Sequence, residues 1–402
     1  MRICKKCLYT ENHALNIIFD KDGVCSGCRI HEEKNTLDWS YRETKLLTLL
    51  KYYRGQSKKN YDCIVPISGG KDSYFIIDLI KNKYKMNPLL VSYNKQYNTK
   101  IGIRNLQYLK TIFQCDCIES TANPSFSKKV TRYTLDKIGS LYWHNHLGTS
   151  TFPIQIAVNL KIPLIIWGAH QGVDQVGMFS HTDEVEMTRK YRKEHDLMGF
   201  EAEDMISEKN EIFERDMAKN FYPSDKDIET IGVRGIYLNN YIRWDSKIQH
   251  ESMITKYNYE TLLQTRTFNP YDNVDCFLYS DLHDYIKFIK HGYSKITDHV
   301  SREIRLKHLS RDLGKSLILY YEKIPPKNIN MFLEWSGLSN KNLVDILKKH
   351  MKYPLDINGF IKKESSVNID FSDIYLNNIK EPIVDNKFKL FDKGFINGIK
   401  GN

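Results

Sequence analysis

The sequence predicts an α/β protein built on a parallel sheet, with a metal-binding N-terminal module before it and a mainly helical C-terminal part after it. Three observations carry that prediction. Short β-rich apolar runs alternate with helix-periodic stretches between residues 61 and 180. Two Cys-x2-Cys pairs stand at residues 4–7 and 25–28. Beyond about Phe179 the pattern changes to long charged helices and polar loops.

The four-cysteine pattern comes first in the chain. Cys4 and Cys7 are followed by seventeen residues and then by Cys25 and Cys28. Each pair can bend two thiolates onto one ion, and four thiolates complete a closed tetrahedral Zn²⁺ site. With no open position, such a zinc is structural rather than catalytic. Residues 1–35 are too few for much of a core, so the metal would supply most of the module's folding free energy. Leu46, Leu49, Leu50 and Tyr53 then recur at helical spacing and predict a linker helix within 36–60, closed by the polar connector Arg54–Asn60.

From Tyr61 the alternation begins. Residues 62–67 read as a buried strand, followed by a helix from about Ser73 with Asp72 or Ser73 as its cap. Pro88–Asn94 is a second strand, and Leu106, Leu109 and Phe113 mark the next helix. Cys115–Ser120 is a third strand with one cysteine buried, and a helix near Pro153–Leu160 leads to a fourth, Pro163–Gly168. Ligands of such a sheet gather at the carboxyl ends of the strands. Thr188–Met205 reads most simply as a solvated helix and loop.

At the first strand's end stands Ser68-Gly69-Gly70-Lys71-Asp72-Ser73. Its amides would face whatever lies beyond the helix N-terminus, a place that favours anions. The spacing is not that of a Walker A loop. Composition agrees with anionic ligands without choosing among them: 59 Lys+Arg against 49 Asp+Glu give a formal charge of +10 over 402 residues. No apolar stretch is long enough to span a bilayer, and "MRICKKCLYT" has no signal-peptide core, so the expected location is the cytoplasm, away from the membrane.

The knot resembles the S-G-G-x-D-S signature of the PP-loop ATP pyrophosphatases, matched at Ser68, Gly69, Gly70, Asp72 and Ser73. The resemblance implies a parallel sheet of that type, ATP as substrate, and attack on its α-phosphorus with pyrophosphate leaving. Lys71 and the loop amides would neutralise the leaving group. That superfamily is expected to tolerate variation at Lys71. After the fourth strand, Gly168, His170 and Asp174 are similar to superfamily residues near the phosphates. Asp72 and Asp174 are the candidates to hold Mg²⁺. The resemblance thus gives Asp72, Lys71 and His170 as candidate catalytic residues.

Together with the cysteine pairs and the knot, "YRKEHDLMGFEAEDM", "GVRGIYLNNYIRWDSK", "RTFNPYDNVDCF" and "HGYSKITDHVSREIR" resemble the N-acetyl sugar amidotransferase family over roughly residues 1–315. That resemblance implies conversion of an acetamido group on a bacterial surface-glycan sugar into an acetamidino group. The implied substrates are diacetamido sugars or nonulosonic acids, free or on a nucleotide carrier, as in lipopolysaccharide or flagellin glycans. It places a substrate-binding helical region at 181–315, after an ATP-binding domain at 61–180. Sugar contacts are expected at Trp244, Asp245, Lys247, Arg266, Tyr293, Asp298, His299 and Arg305. Ammonia is expected from a separate glutaminase and a channel-forming partner, and no nucleic acid is involved. Residues 316–402 form a C-terminal helical tail to which the sequence assigns no role. The competing reading is a PP-loop tRNA-modifying enzyme of the thiolation or lysidine type, in which Cys115 and Cys117 would carry sulfur. A third reading is a zinc module joined to a non-catalytic nucleotide sensor.

Overall fold

The computed structural model describes residues 2–56, 61–94, 98–276 and 278–352. The connector at 57–60 and the tail from residue 353 lie outside them. Two helices come first, α1 (Ser26–Glu33), which is capped by Cys25 and contains Cys28, and α2 (Trp39–Tyr53). The sheet then starts with β1 (Cys63–Ile67), α3 (Lys71–Ile77), β2 (Pro88–Asn94), α4 (Lys100–Phe113) and β3 (Cys117–Thr121). It continues through α5 (Pro124–Ile138), α6 (Trp143–Leu160), β4 (Leu164–Trp167) and β5 (Arg234–Tyr237).

All pairings are parallel, in the order β3-β2-β1-β4-β5. The chain moves outward from β1 through β2 to β3, then crosses back to place β4 on the other side of β1. The order therefore reverses between β1 and β4, which opens a crevice at their carboxyl ends. Ile64, Val65, Leu90, Ile165 and Ile166 are fully buried because helices cover both faces. α2, α3, α4 and the helix Ser246–Tyr257 pack on one face, and α6 covers the other.

Several local expectations change. α3 begins at Lys71 with Gly70 as its cap, so Asp72 and Ser73 lie in its first turn. Ser73 does not cap because its Oγ accepts the Ser68 N–H at 3.1 Å, holding the loop closed. The third strand starts at Cys117, since Gln114 ends α4 in the left-handed region and the turn consumes the next two residues; both cysteines are half-buried. The helix before β4 begins already at Trp143. β5 was hidden among aromatic and polar residues that read as a pocket, because four residues give too short an alternation. It carries the sheet beyond the boundary drawn at residue 180.

The stretch 188–205 is less solvated than its charges imply. It buries Leu197, Ala202 and Met205 with Val130 and Leu147, and Arg192 donates to Glu201 at 2.7 and 2.9 Å. The helices Arg311–Tyr321, Ile329–Ser336 and Asn340–His350 also pack inward. Leu317 and Tyr321 join Val300, while Phe332, Leu343 and Leu347 join Leu135 and Ile286. No helix among the described residues is long and apolar enough to cross a membrane.

Candidate active site

The loop 68–73 leaves β1 at the crevice, and its glycines have physical reasons to be there. Gly69 has φ +83°, and a Cβ on it would stand 2.7 Å from the Cβ of Leu106 on α4. A Cβ on Gly70 would meet Asp275 at 3.0 Å. The loop is thus pinched between α4 and the segment 269–276. Gly70 N–H donates to Ser68 Oγ at 3.2 Å, which completes a fixed turn.

Above it lies a polar cleft of about 290 Å³ whose lining includes Lys71, Asp72, Asp272, His299 and Arg302. Lys71 Nζ stands 2.9 Å from both Asp72 Oδ1 and Asp272 Oδ1. Asp272 also takes Arg302 at 2.5 Å and faces His299 at 3.6 Å, while His250 Nε2 stands 3.3 Å from Asp72. Asp72 is partly desolvated at the cleft wall, which works against its charge, yet Lys71 and His250 offset this and hold the carboxyl below the usual range. Burial likewise opposes the Lys71 charge, and Asp272 and Asp72 restore it, so the ammonium stays protonated. The cleft presents a fixed cation beside an N-terminal helix turn, suited to stabilising an anion that develops there.

The cleft continues into a larger cavity of about 560 Å³ that Ser68, Asn145, His283 and Lys287 help to line. Asp298 and Lys295 belong to both spaces. Asp298 accepts from Tyr9 Oη at 2.9 Å and Gln175 Nε2 at 3.0 Å, and pairs with Lys287.

The other expected residues divide between this cleft and other places. Trp244, His299 and Arg305 line it with Lys71 and Asp72. Asp174 also lines it, but its carboxylate is paired with Lys34 of the N-terminal module. Gly168 directly follows β4, where a Cβ would come within 3.1 Å of Ile76 and Trp244. Asp245 caps the helix Ser246–Tyr257 through the Ile248 N–H at 3.2 Å, and Lys247 stands 3.9 Å from Glu251. Arg266 is fully buried and bonds Asp284 at 2.7 Å, away from the cleft. Tyr293 stacks on His13 at 4.8 Å. His170 is buried on a different side, against Tyr191 and Tyr237 at 4.2 and 4.6 Å.

Lys34, His250, Asp272 and Arg302 were not singled out from the sequence. Arg302 had a signal: it follows His299 by three residues on one helix, Lys295–Arg305, and so shares its face. Asp272 is placed by Asn269, whose Oδ1 accepts the Asp272 N–H at 2.9 Å in a side-chain turn. Lys34 and His250 arrive by tertiary packing alone.

The four Sγ atoms of Cys4, Cys7, Cys25 and Cys28 lie within 4.8 Å of one another, with Cys4–Cys28 at 3.8 Å and Cys7–Cys25 at 3.6 Å. Four sulfurs about 2.3 Å from one tetrahedral ion would be about 3.8 Å apart, so the set fits Zn²⁺. Arg305 ties this module to the cleft. It donates to Cys25 Sγ at 3.5 Å and to the Gln175 carbonyl, and it lies over the Tyr9 ring at 4.9 Å.

The buried histidines give a pH prediction. Burial holds His144, His170, His250 and His299 down at about 4. In the unfolded chain histidine titrates near ~6.5. Between those values the unfolded state binds protons that the folded state refuses, so stability is intact above the window and falls as pH drops through it. At about pH 5 the loss is about 2 kcal/mol for each such group. Urea unfolding at about pH 7.5 and about pH 5 should show a much lower midpoint in acid; equal midpoints would contradict the buried neutral state.

Residues 251–363 match the family described as LPS biosynthesis protein WbpG-like, C-terminal domain. An uncharacterized protein of Methanocaldococcus jannaschii is 30% identical over 115 residues, which is 28% of this chain and 40% of that protein. The match therefore spans about two fifths of that curated relative's length. Among solved structures, NMN synthetase from Francisella tularensis aligns at a TM-score of 0.28 and 10% identity, over 57% of this chain and 98% of its own.

Proposed function

We propose that this chain is an ATP-dependent amidotransferase of surface-glycan biosynthesis that turns an acetamido group of a sugar into an acetamidino group. One observation carries the reading. The segment that matches the lipopolysaccharide-biosynthesis family supplies Asp272, which pairs directly with Lys71 of the glycine loop, and His299 and Arg302, which face Asp272 from the far side. A glycan-type segment and a candidate phosphate loop build one cleft.

The chemistry suits such a cleft. An amide carbonyl is a poor electrophile. Attack of its oxygen on the α-phosphorus of ATP forms an O–P bond, breaks the bond to the β-phosphate's bridging oxygen and releases pyrophosphate. The product is an adenylated imidate. Ammonia then adds to the imidate carbon, AMP leaves with the former amide oxygen, and the amidine remains after proton loss. In this reading Lys71, the loop amides and the start of α3 stabilise the departing pyrophosphate, and Asp72 is the carboxylate available to a phosphate-bound Mg²⁺. Positioning and charge stabilisation do the work, without a covalent enzyme intermediate.

Nitrogen is expected from a partner. A glutaminase needs an activated nucleophile, and four of the eight cysteines form the sulfur cluster. Burial raises the Cys63 thiol above its ordinary value and lifts Cys117 to about 11, the reverse of an activated thiolate. Burial raises the Cys115 thiol as well, and with Cys117 this weighs against the tRNA-thiolating alternative. Purified chain with ATP, acetamido sugars and ammonium should yield AMP, pyrophosphate and acetamidino product, faster as pH rises and more ammonia is unprotonated. Glutamine alone should not replace ammonium. ADP and phosphate as products would overturn the reaction, and efficient glutamine use by this chain alone would overturn the need for a partner.

A further inference from the structure

A second cavity of about 200 Å³ opens at the carboxyl ends of β4 and β5, and its lining includes Trp167, His170, Tyr191, Arg192, Asp196 and Tyr237. It meets the phosphate-type cleft along one strip, since Ala169 and Gln171 line both. Two of its polar side chains are unspent. His170 is 1% exposed, and among the described residues neither of its ring nitrogens has a hydrogen-bond partner; Trp167 Nε1 has none there either. Leaving such groups bare in the folded interior is costly unless something binds them. Burial keeps the His170 imidazole neutral, so one nitrogen donates and the other accepts.

The charge pattern narrows the ligand. Arg192 is the one Lys or Arg among the lining residues, and its guanidinium is turned onto Glu201 at 2.7 and 2.9 Å. Among the described residues no lysine or arginine of the lining is left for a phosphate or a carboxylate, and the Asp196 carboxyl adds a further acceptor for a ligand's hydroxyl groups. The adjoining cleft is densely charged with both signs, Lys71, Lys295, Arg302 and Arg305 standing among Asp72, Asp174, Asp272 and Asp298. Aromatic walls beside a donor–acceptor pair fit a saturated ring whose C–H faces pack on the aromatic residues while its hydroxyl or amide groups meet the nitrogens.

We propose that this cavity holds the acceptor through an uncharged pyranose ring, with its reacting amide directed along the Ala169–Gln171 strip towards Asp72. Any carboxylate or diphosphate on the acceptor then lies outside the cavity. The inference rests on the amidotransferase reading for the word acceptor; the uncharged-ring site stands on the lining alone.

The test is saturation-transfer NMR with mono- and di-N-acetylated hexosamines, each as free sugar and as UDP derivative, on wild type, Trp167→Phe and His170→Asn. Wild type should bind at least one free sugar, and both variants should weaken that binding by about tenfold, the scale of one lost hydrogen bond to a buried group. Affinity for a non-hydrolysable ATP analogue should stay within about twofold of wild type, since neither residue lines the phosphate-type cleft. Binding retained by both variants, or binding only of UDP derivatives, overturns the proposal, as does no binding at all. AMP formation measured in parallel separates the two claims. Normal turnover in both variants leaves the reaction standing and removes the site. A sugar bound here with no AMP formed supports the site and removes the reaction.

Discussion

Asp72→Asn should lower pyrophosphate release by about two to three orders of magnitude, the scale seen when one stabilising group is taken from a preorganised site. The carboxylate is 46% exposed at the cleft, so its loss should leave the fold intact. Charge is what changes: asparagine keeps the shape but no longer attracts Lys71 or a divalent ion. Lys71→Ala is a different experiment. The sequence alone made it the milder change, but the structure buries Lys71 between Asp72 and Asp272. Removing the lysine leaves Asp272 with Arg302 as its remaining strong partner, and breaking a buried pair of this kind costs about 3–5 kcal/mol. Lys71→Ala should therefore lose both turnover and thermal stability, whereas Asp72→Asn loses turnover alone. Pyrophosphate release and thermal unfolding, read on the same preparations, check both. Asp72→Asn within about tenfold of wild type would remove the loop from the chemistry.

The parts of the molecule that could be read from sequence are those specified locally. β1, the glycine turn and the following helix lie within one short segment, where apolar runs, φ-permissive glycines and helical spacing all agree. The cysteine cluster was legible for the same reason, because thiolate spacing within a knuckle is a local property. β5 was not, since its parallel partner β4 lies some seventy residues earlier and only pairing identifies Arg234–Tyr237 as strand. The site residues divide by the same rule. Helix spacing alone links Asp298 and His299 to Arg302 and Arg305. Arg266 looked like a ligand contact because an arginine in a polar, aromatic stretch reads the same whether it faces a substrate or a buried aspartate. Asp284, eighteen residues on, decides between them, and that pairing is tertiary.

Metal removal should have the other large effect, and the structure extends its reach beyond the module. In isolated zinc modules the metal supplies on the order of 10 kcal/mol of folding free energy. Here Cys4, Cys7, Cys25 and Cys28 form the centre of a small core with Tyr9, Ile17 and Val24, which has little else to hold it. Its unfolding would withdraw Lys34 from Asp174 and Tyr9 from Asp298, and would strip Arg305 of its sulfur contacts. Asp174 and Asp298 both line the cleft, so the damage would reach it. Metal analysis should find about one Zn²⁺ per chain, as a four-thiolate site requires. Chelation or Cys25→Ser should make residues 1–35 protease-sensitive and lower the unfolding temperature. Affinity for an ATP analogue should fall with the loss of structure, not ahead of it. A Cys25→Ser chain that keeps wild-type protease resistance and unfolding temperature while losing only turnover would contradict a structural metal, and the cluster would then have to be placed in the chemistry.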